Sequence, residues 1–345
     1  MKFDFVIGNP PYQETTKDTS DKPIYNLFMD AAFGVSDNVT LIHPARFLFN
    51  AGKTPKDWNN RMLQDTHFKV LDYQQDSSVV FANTDIKGGV AITHRDAKKE
   101  YGAIGLFSPF RELNQIVNKV KATSFTPLSG MVYAPESYKF TDVLHEENPS
   151  AIISMSKGHS NDVTTNIFDK LSDIFYQNCP SDDKTYIRII GRSGNERVVR
   201  WVKKDYICTH PNLEKWKVIL PKSNGSGAIG EVLSTPLIGE PLIGEPLIGH
   251  TQTFISIGTF DSRSEAEALF KYIKTKFCRV LLGVLKITQD NKKETWRMVP
   301  IQDFTTTSDI DWSKSIAEID HQLYAKYRLD ENEINFIETK VKEMQ

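Results

Sequence analysis

The sequence predicts an α/β fold in its N-terminal part and a second domain of mixed α and β elements after it. Short apolar runs that are typical of strands alternate with segments of helical periodicity through about residue 110. Near the C-terminus, two helix-capping patterns are each followed by an apolar helical face. A chain of 345 residues is long enough for two domains, and we place them at residues 1–122 and 123–345.

The elements of the first domain follow from the spacing of its apolar residues. Residues 3–8 predict a buried strand that ends in a tight turn. Apolar residues at helical spacing predict a helix over 24–37, and a polar helix is expected over 54–64. Further strands are expected at residues 39–42, 68–73 and 89–93.

Basic residues are concentrated in one segment of the second domain, although the chain as a whole has a net charge of −2. Within residues 188–204 the only acid is Glu196, and glycines, a serine and Trp201 are interleaved with the cations. This pattern predicts a hairpin or loop that contacts phosphates, and a solvated strand face is the alternative. The cations are Arg188, Arg192, Arg197, Arg200, Lys203 and Lys204.

The segment that follows continues the positive character and then becomes repetitive. Lys222, Ser223 and Asn224 stand in a glycine-rich turn, from which their side chains could reach base edges. Three pentapeptides begin at Pro236, with the sequence P-L-I-G-E twice and P-L-I-G-H once. Units of five residues are too short for a solenoid, so we expect an irregular loop that arose by local duplication.

The C-terminal elements are predicted from strand and capping signals. Residues 254–258 predict a strand, and Ser264 with Glu267 predicts a capping box for the next helix. Asp330 and Glu333 predict a second cap. The expected apolar face of the first of these helices consists of Ala266, Leu269, Phe270, Ile273 and Phe277.

The most specific motif is Asn9-Pro10-Pro11-Tyr12, directly after the first strand, and it resembles the signature of enzymes that methylate exocyclic amino groups of nucleic-acid bases. The N6 amine of adenine is a poor nucleophile because its lone pair is delocalised, and acceptors for its hydrogens make it more reactive. The side-chain carbonyl of Asn9 and the main-chain carbonyl of Pro10 can supply two such acceptors. Pro10 and Pro11 stiffen the loop, and Tyr12 offers an aromatic face to an extracted base.

These motifs resemble the catalytic half of γ-type adenine-N6 DNA methyltransferases of restriction-modification systems, particularly the Eco57I and TaqI kind. Residues 41–48 resemble the strand and loop that follow the family's catalytic loop. Residues 80–84, followed by 88–92, resemble a later motif in which a phenylalanine packs against the flipped base. The resemblance implies that Phe81 shares the adenine with Tyr12, and that residues 1–122 form the C-terminal part of a Rossmann-like methyltransferase sheet.

The second domain resembles the target-recognition domains of these methyltransferases and of type I specificity subunits. The order of strand, capped helix and apolar helix carries this resemblance, together with the closing helix capped by Asp330. The resemblance implies an α+β fold for residues 123–345 and double-stranded DNA as the substrate. It also implies S-adenosylmethionine as the methyl donor.

One part of the family pattern is missing near the catalytic loop. In the family, a phenylalanine-rich Gly-x-Gly turn for the cofactor precedes this loop, whereas here the loop begins at Asn9. Gly225-Ser226-Gly227 is the only close Gly-x-Gly, and no apolar strand leads directly into it. We therefore expect an open apolar edge on the strand at 3–8 and a partner subunit that completes the S-adenosylmethionine site. A truncated or decayed gene product is the alternative.

Three functions remain to be compared. The first is a site-specific adenine DNA methyltransferase that needs a partner, and the second is a non-catalytic DNA-binding specificity module. A restriction nuclease is disfavoured because we find no convincing Pro-Asp…Asp/Glu-x-Lys metal site in the sequence.

Cys179, Cys208 and Cys278 form neither a zinc spacing nor a disulfide framework, which predicts a cytoplasmic protein without a metal site. No apolar run is long enough to cross a bilayer.

Overall fold

The computed structural model describes residues 3–14, 21–82, 84, 86, 88–225, 229–233, 235, 239–286 and 288–344. The chain divides into two compact units, Met1–Asn114 and Gln115–Gln345. Helices and several sheets alternate along it, which confirms the expected mixture of α and β elements. The division of catalysis and DNA recognition between residues 1–122 and 123–345 stays a prediction.

The N-terminal unit is built on a four-stranded sheet with the order β1-β4-β6-β5. β1 is parallel to β4, whereas β6 lies antiparallel between β4 and β5. The two-residue strands β2 and β3 form a separate small hairpin. The elements are β1 (Val6–Gly8), β2 (Gln13–Glu14), β3 (Lys22–Pro23), α1 (Tyr25–Val35), β4 (Asn38–Pro44), α2 (Lys56–Gln64), β5 (Phe68–Gln74) and β6 (Val90–Asp96), and α3 (Arg111–Ala122) contains the boundary between the units.

Helices α1 and α2 share one core with this sheet. Apolar side chains of both helices are buried together with alternate residues of β4, because alternate residues of a strand point to the same face. The core residues include Tyr25, Met29, Trp58, Met62, Val39, Leu41, Phe68 and Ala91. The helices and strands expected between residues 24 and 93 are therefore confirmed, with ends that shift by at most three residues.

β1 forms an edge of this sheet, and the apolar side chains in it and just before it are exposed, so the prediction of a buried strand over residues 3–8 was wrong. Ile7 is 82% exposed, Phe5 is 71% exposed and Phe3 is 54% exposed. Within the described residues, β1 has a strand partner on one side only. The expected open apolar edge is thus confirmed. Such edges are seldom left bare because they invite pairing with other chains.

The C-terminal unit contains a four-stranded sheet, β11-β10-β13-β7, and a three-stranded sheet, β12-β8-β9. β8 and β9 form an antiparallel hairpin over the basic segment, which we call the basic hairpin. The strands are β7 (Val132–Tyr133), β8 (Tyr186–Ser193), β9 (Glu196–Lys203), β10 (Trp216–Pro221), β11 (Leu242–Gly244), β12 (Ile248–His250) and β13 (Phe254–Phe260). The helices are α4 (Asp142–Glu147), α5 (Ala151–Ser154), α6 (Ile167–Lys170), α7 (Arg263–Lys274), α8 (Lys276–Gly283), α9 (Ile316–Lys326) and α10 (Glu331–Lys340). No helix in the described part of the chain is long and apolar enough to span a membrane.

Helix α7 begins earlier than the sequence suggested. Its cap is Ser262, whose side chain accepts a hydrogen bond from the Glu265 amide, so the predicted pair of Ser264 and Glu267 was wrong. Phe277, expected on the same helix, belongs to α8, because Thr275 ends α7 and caps α8. The predicted cap of Asp330 with Glu333 is confirmed at α10.

The pentapeptide repeat is not an irregular loop where the structure describes it. The second copy supplies β11, which is antiparallel to β10, and the third copy supplies β12, which is parallel to β8. The loop prediction was wrong because each of these copies finds main-chain partners in a different sheet. Residues 236–238 of the first copy lie outside the described residues, as do Ser226 and Gly227.

Candidate functional site

The loop of Asn9, Pro10, Pro11 and Tyr12 follows β1 and precedes the small hairpin of β2 and β3. Asn9 and Pro11 are exposed, whereas Pro10 and Tyr12 are half-buried. The main-chain carbonyl of Tyr12 accepts a hydrogen bond of 3.1 Å from the amide of Ile24, next to the start of α1. The loop is therefore anchored at Tyr12, while the Asn9 side chain remains accessible to a ligand.

The structure brings Tyr12 and Phe81 together. Their ring centroids are 6.3 Å apart with an interplanar angle of 70°, so the rings are edge to face. The Tyr12 hydroxyl is buried and has no hydrogen-bond partner among the described residues. Burial raises the pKa of Tyr12, so the phenol keeps its proton at neutral pH. The two aromatic residues predicted to share a base are thus neighbours, and their role stays a prediction.

Ser77 holds the turn that carries Phe81, and the sequence alone did not indicate this. The buried Ser77 hydroxyl donates to the Thr84 carbonyl at 2.6 Å and accepts from the Ile86 amide at 2.8 Å. The Phe81 amide donates to the Ser77 carbonyl at 2.8 Å. One sequence signal for this turn was available: Asp76 stands just before Ser77, and aspartate often caps short helical turns. In the structure the Asp76 side chain accepts a hydrogen bond from the Ser78 amide. Asn83 of the matched motif lies outside the described residues.

The loops of this unit gather at one edge of its sheet. β1 and β4 are parallel, so their carboxyl ends lie at the same edge, and Pro44 at the end of β4 pairs with Val90 at the start of β6. Arg46 lies just beyond β4, and a Cβ atom at Gly88 would be 2.5 Å from its Cγ atom. The carboxyl edge of an α/β sheet is the usual place for ligands. Arg46 is exposed at this edge, and the sequence analysis did not identify it as a candidate site residue.

His43, within the segment that resembles the family, has a structural environment. Its Nε2 atom is 2.7 Å from the Thr93 hydroxyl, and its ring stacks on Tyr25 at 5.9 Å. Burial lowers the pKa of His43 to about 4, so the imidazole is neutral at physiological pH. A neutral, enclosed histidine packs the sheet and is not placed to exchange protons with a ligand.

The basic hairpin divides its cations between two faces. Arg192 lies directly opposite Arg197, and Arg188 lies opposite Trp201, so these residues share one face. Lys203 lies on that face as well. Arg200 points to the other face, because an odd number of residues separates it from Arg197 and from Lys203. Lys204 follows the end of β9. Four of the six predicted DNA contacts therefore lie on one surface.

Internal partners already hold several of these cations. The Arg188 guanidinium is 2.7 Å from the Glu245 carboxylate, and Arg197 donates to the main-chain carbonyl of Glu240 at 2.7 Å. Lys203 pairs with Glu147, which raises the pKa of Lys203, and Lys204 pairs with Glu214. In the part of the chain that the structure describes, Arg192 and Arg200 have no acidic partner.

The turn after β10 presents only part of the predicted base-contacting set. Lys222 is exposed and Ser223 is half-buried. Asn224 is buried: its amide nitrogen donates to the Val232 carbonyl, and its side-chain oxygen accepts from Asn291 at 2.7 Å. These contacts keep the Asn224 side chain inside the fold, which conflicts with the predicted contact to a base edge.

No cofactor site can be assembled from the described residues of the N-terminal unit. The strand neighbour that a cofactor turn requires is missing beside β1, and no glycine-rich turn follows a strand at that edge. No group of three His, Cys, Asp or Glu side chains among the described residues is arranged to hold a metal ion. These residues do not by themselves fit S-adenosylmethionine.

Two comparisons by sequence agree with the motifs of this unit. Residues 1–81 match the family model of the Eco57I restriction-modification methylases. An uncharacterized adenine-specific methylase of Mycoplasma pneumoniae is 30% identical over 95 residues, which cover 26% of this chain and 22% of that protein. The type IIG restriction endonuclease BpuSI is 10% identical with a TM-score of 0.35, over 93% of this chain and 48% of that chain. The matched segment, residues 1–81, carries the loop from Asn9 to Tyr12 as well as Phe81, so it is similar to the Eco57I restriction-modification methylases where the motifs indicated.

Proposed function

We propose that this chain is the catalytic-loop and DNA-recognition portion of a site-specific DNA methyltransferase that modifies the N6 amine of adenine. The observation that carries the proposal is the arrangement of Tyr12, at the end of the Asn9-Pro10-Pro11-Tyr12 loop, beside Phe81. Two edge-to-face rings next to an exposed asparagine can hold a base that has left its duplex. The family match over residues 1–81 supports the same activity.

In this proposal the chain acts by positioning and polarising the adenine. The base stacks on Tyr12, and Phe81 limits its movement in the pocket. The Asn9 side-chain carbonyl and the Pro10 main-chain carbonyl accept hydrogen bonds from the two N6 hydrogens, which makes the nitrogen lone pair available. S-adenosylmethionine, when bound, supplies the methyl group. This mechanism needs no titrating residue, in keeping with the enclosed, neutral state of His43.

The exposed edge at β1 supports a partner subunit. Parallel strands of α/β sheets are normally covered on both faces, whereas Phe5 and Ile7 of this edge are mostly exposed. A partner strand paired with β1 would satisfy its free main-chain groups and cover these side chains. We propose that this partner carries the binding site for S-adenosylmethionine, and that the basic hairpin in the C-terminal unit contacts the phosphates of double-stranded DNA.

The test is methyl transfer by the full chain with its candidate partner, using tritiated S-adenosylmethionine and varied duplexes. Asn9→Ala removes one positioned acceptor, so incorporation should fall by about 10²-fold or more. Asn335→Ala serves as the control because it is the same substitution at an exposed residue of α10, in the C-terminal unit. Incorporation that survives Asn9→Ala unchanged would remove Asn9 from the site.

The second candidate is a DNA-binding specificity module without methyl transfer. It is favoured because, among the described residues, β1 has a strand neighbour on one side only and no cofactor turn beside it. Calorimetry separates the two functions, because the module should bind duplex DNA but never S-adenosylmethionine, either alone or with the partner. Binding of the cofactor to the complex, together with a loss of turnover in Asn9→Ala, would exclude the module.

A further inference from the structure

The repeat segment, residues 239–250, lies against the basic hairpin. Its strand β12 runs parallel to β8, and the Arg188 amide donates to the Leu247 carbonyl at 2.9 Å. Its strand β11 pairs with β10 in the other sheet. The residue between these two strands that faces the hairpin is Glu245. Ladders on both sides fix its position, so the contact it makes is a defined feature of the fold.

Glu245 places a carboxylate on a cation of the proposed DNA surface. Its Oε2 atom is 2.7 Å from the Nη2 atom of Arg188, and both side chains are partly exposed. The Arg188 guanidinium also lies 5.7 Å from the centroid of the Trp201 ring, which is directly opposite on β9. A carboxylate and a phosphate bind the same donor face of a guanidinium. Glu245 therefore occupies the position that a DNA phosphate would take at Arg188.

The equivalent residues of the other copies do not do this. The Glu240 carboxylate is 3.3 Å from the ammonium of Lys274, which is buried on α7. In the third copy the residue is His250, which is buried and lies 3.1 Å from the Ser256 hydroxyl. Among the described residues, only the second copy directs an acidic side chain to an arginine of the hairpin.

Arg192 provides the contrast on the same face. It lies directly opposite Arg197, and like charges in this arrangement repel each other. No acidic side chain in the described ranges pairs with Arg192. A bound phosphate would relieve this repulsion, so DNA could contact Arg192 without displacing a carboxylate.

We propose that Glu245 competes with DNA phosphates for Arg188 and thereby lowers the affinity of the basic hairpin for DNA. This inference rests on the proposed DNA-binding function. Partly exposed ion pairs are weak, so the competition lowers affinity only a fewfold and leaves binding possible. Glu245, in the second copy of the repeat, therefore weakens one phosphate contact, the one made by Arg188. The other cations of the basic hairpin keep their charge.

The experiment compares the full-length wild type with Glu245→Gln, Glu240→Gln, Arg188→Gln, Arg192→Gln and the double variant Arg188→Gln/Glu245→Gln. Duplex affinity is measured by fluorescence anisotropy over a series of salt concentrations, and polyanion affinity by elution from immobilised heparin. Glu245→Gln should bind duplex about two- to fivefold more tightly. Its slope of log K against log [salt] should steepen by about 0.9, the value for one more phosphate.

The controls separate the specific contact from a change of net charge. Glu240→Gln makes the same substitution in the same position of the preceding copy, and affinity should change less than twofold. Arg188→Gln removes one cation of the basic hairpin and should weaken binding, and the double variant should bind no more tightly than Arg188→Gln alone. Arg192→Gln should weaken binding. Thermal unfolding of each variant shows whether it is folded as the wild type is.

Three results would overturn the inference: no gain in Glu245→Gln, an equal gain in Glu240→Gln, or a gain that persists without Arg188. Heparin elution gives the same comparison without DNA, so equal elution of wild type and Glu245→Gln also counts against it. If the wild type fails to bind any duplex while Glu245→Gln alone elutes later from heparin, the competition stands and the DNA-binding function fails.

Discussion

Lys217 on β10 gives the sharpest test of the energetics of the C-terminal unit. Its side chain is fully buried, and its ammonium donates to the main-chain carbonyls of Asn212 and Leu213. In the part of the chain that the structure describes, no carboxylate pairs with it. Burial lowers the pKa of Lys217 from 10.5 to about 7. Lys217→Met keeps a long side chain in this place and removes the charge.

The direction of the pH dependence follows from proton binding. Because the pKa of Lys217 in the folded protein lies below its unfolded value, the unfolded chain binds more protons between pH 7 and 10.5. Burial of the charge therefore costs on the order of 4 kcal/mol at pH 7 and on the order of 2 kcal/mol at pH 9. The carbonyls that lose their donor reduce the gain from Lys217→Met equally at both pH values. The advantage of the variant should thus be about 2 kcal/mol larger at pH 7.

The assay is urea unfolding of wild type and Lys217→Met at pH 7 and pH 9. The neighbouring histidines do not complicate the comparison, because burial lowers the pKa of His250 to about 3 and also lowers the pKa of His210. Lys215→Met is the control, because Lys215 is partly exposed and pairs with Asp261. This variant should change stability equally at both pH values. A difference between wild type and Lys217→Met that is the same at pH 7 and pH 9 would refute the reasoning.

Three further substitutions test the site, the edge and the repeat. Phe81→Ala should weaken capture of a flipped base by about 1–3 kcal/mol, measured by 2-aminopurine fluorescence at the target position, and an unchanged signal would argue against stacking. Ile7→Lys should leave the stability of the isolated chain within about 0.5 kcal/mol and abolish association with the partner, measured by size-exclusion chromatography; retained association would contradict the role of β1. His250→Glu makes all three pentapeptides identical and buries a carboxylate, so unfolding in urea should shift to lower concentration and amide NMR signals should double. A single set of amide signals together with wild-type stability would disprove the role of His250 in fixing the pairing of the repeat.

The sequence predicted most of the N-terminal unit because its signals are local. Apolar spacing located α1, β4, β5 and β6, α2 was expected as a polar helix, and the loop after β1 was recognisable from four adjacent residues. The contact between Tyr12 and Phe81 was expected only through the family resemblance, since nothing in the spacing of two residues so far apart fixes it. Ser77, which holds the turn of Phe81, gave no periodic signal at all.

The capping error at α7 shows where a local rule does not decide. Ser262 and Ser264 are each followed by a glutamate three residues later, so both fit a capping box. The structure selects Ser262 because its backbone is extended, with φ −119° and ψ 150°, as a cap requires. Asn224 illustrates a longer-range limit: its burial depends on Asn291 and Lys286, which are distant in the sequence.

The repeat shows most clearly that strand formation here depends on partners and not on local sequence. Leu242 begins an antiparallel strand, whereas the equivalent Leu247 has a positive φ of 63° and precedes a parallel strand. Local propensity cannot distinguish two identical segments. The residue that differs can: the charged Glu245 stays at the surface on Arg188, while the neutral His250 is buried against Ser256. If the pairing shifted by one copy, Glu245 would take the buried place of His250. Burial of its carboxylate would be unfavourable, so the single change from Glu to His specifies the register of the repeat.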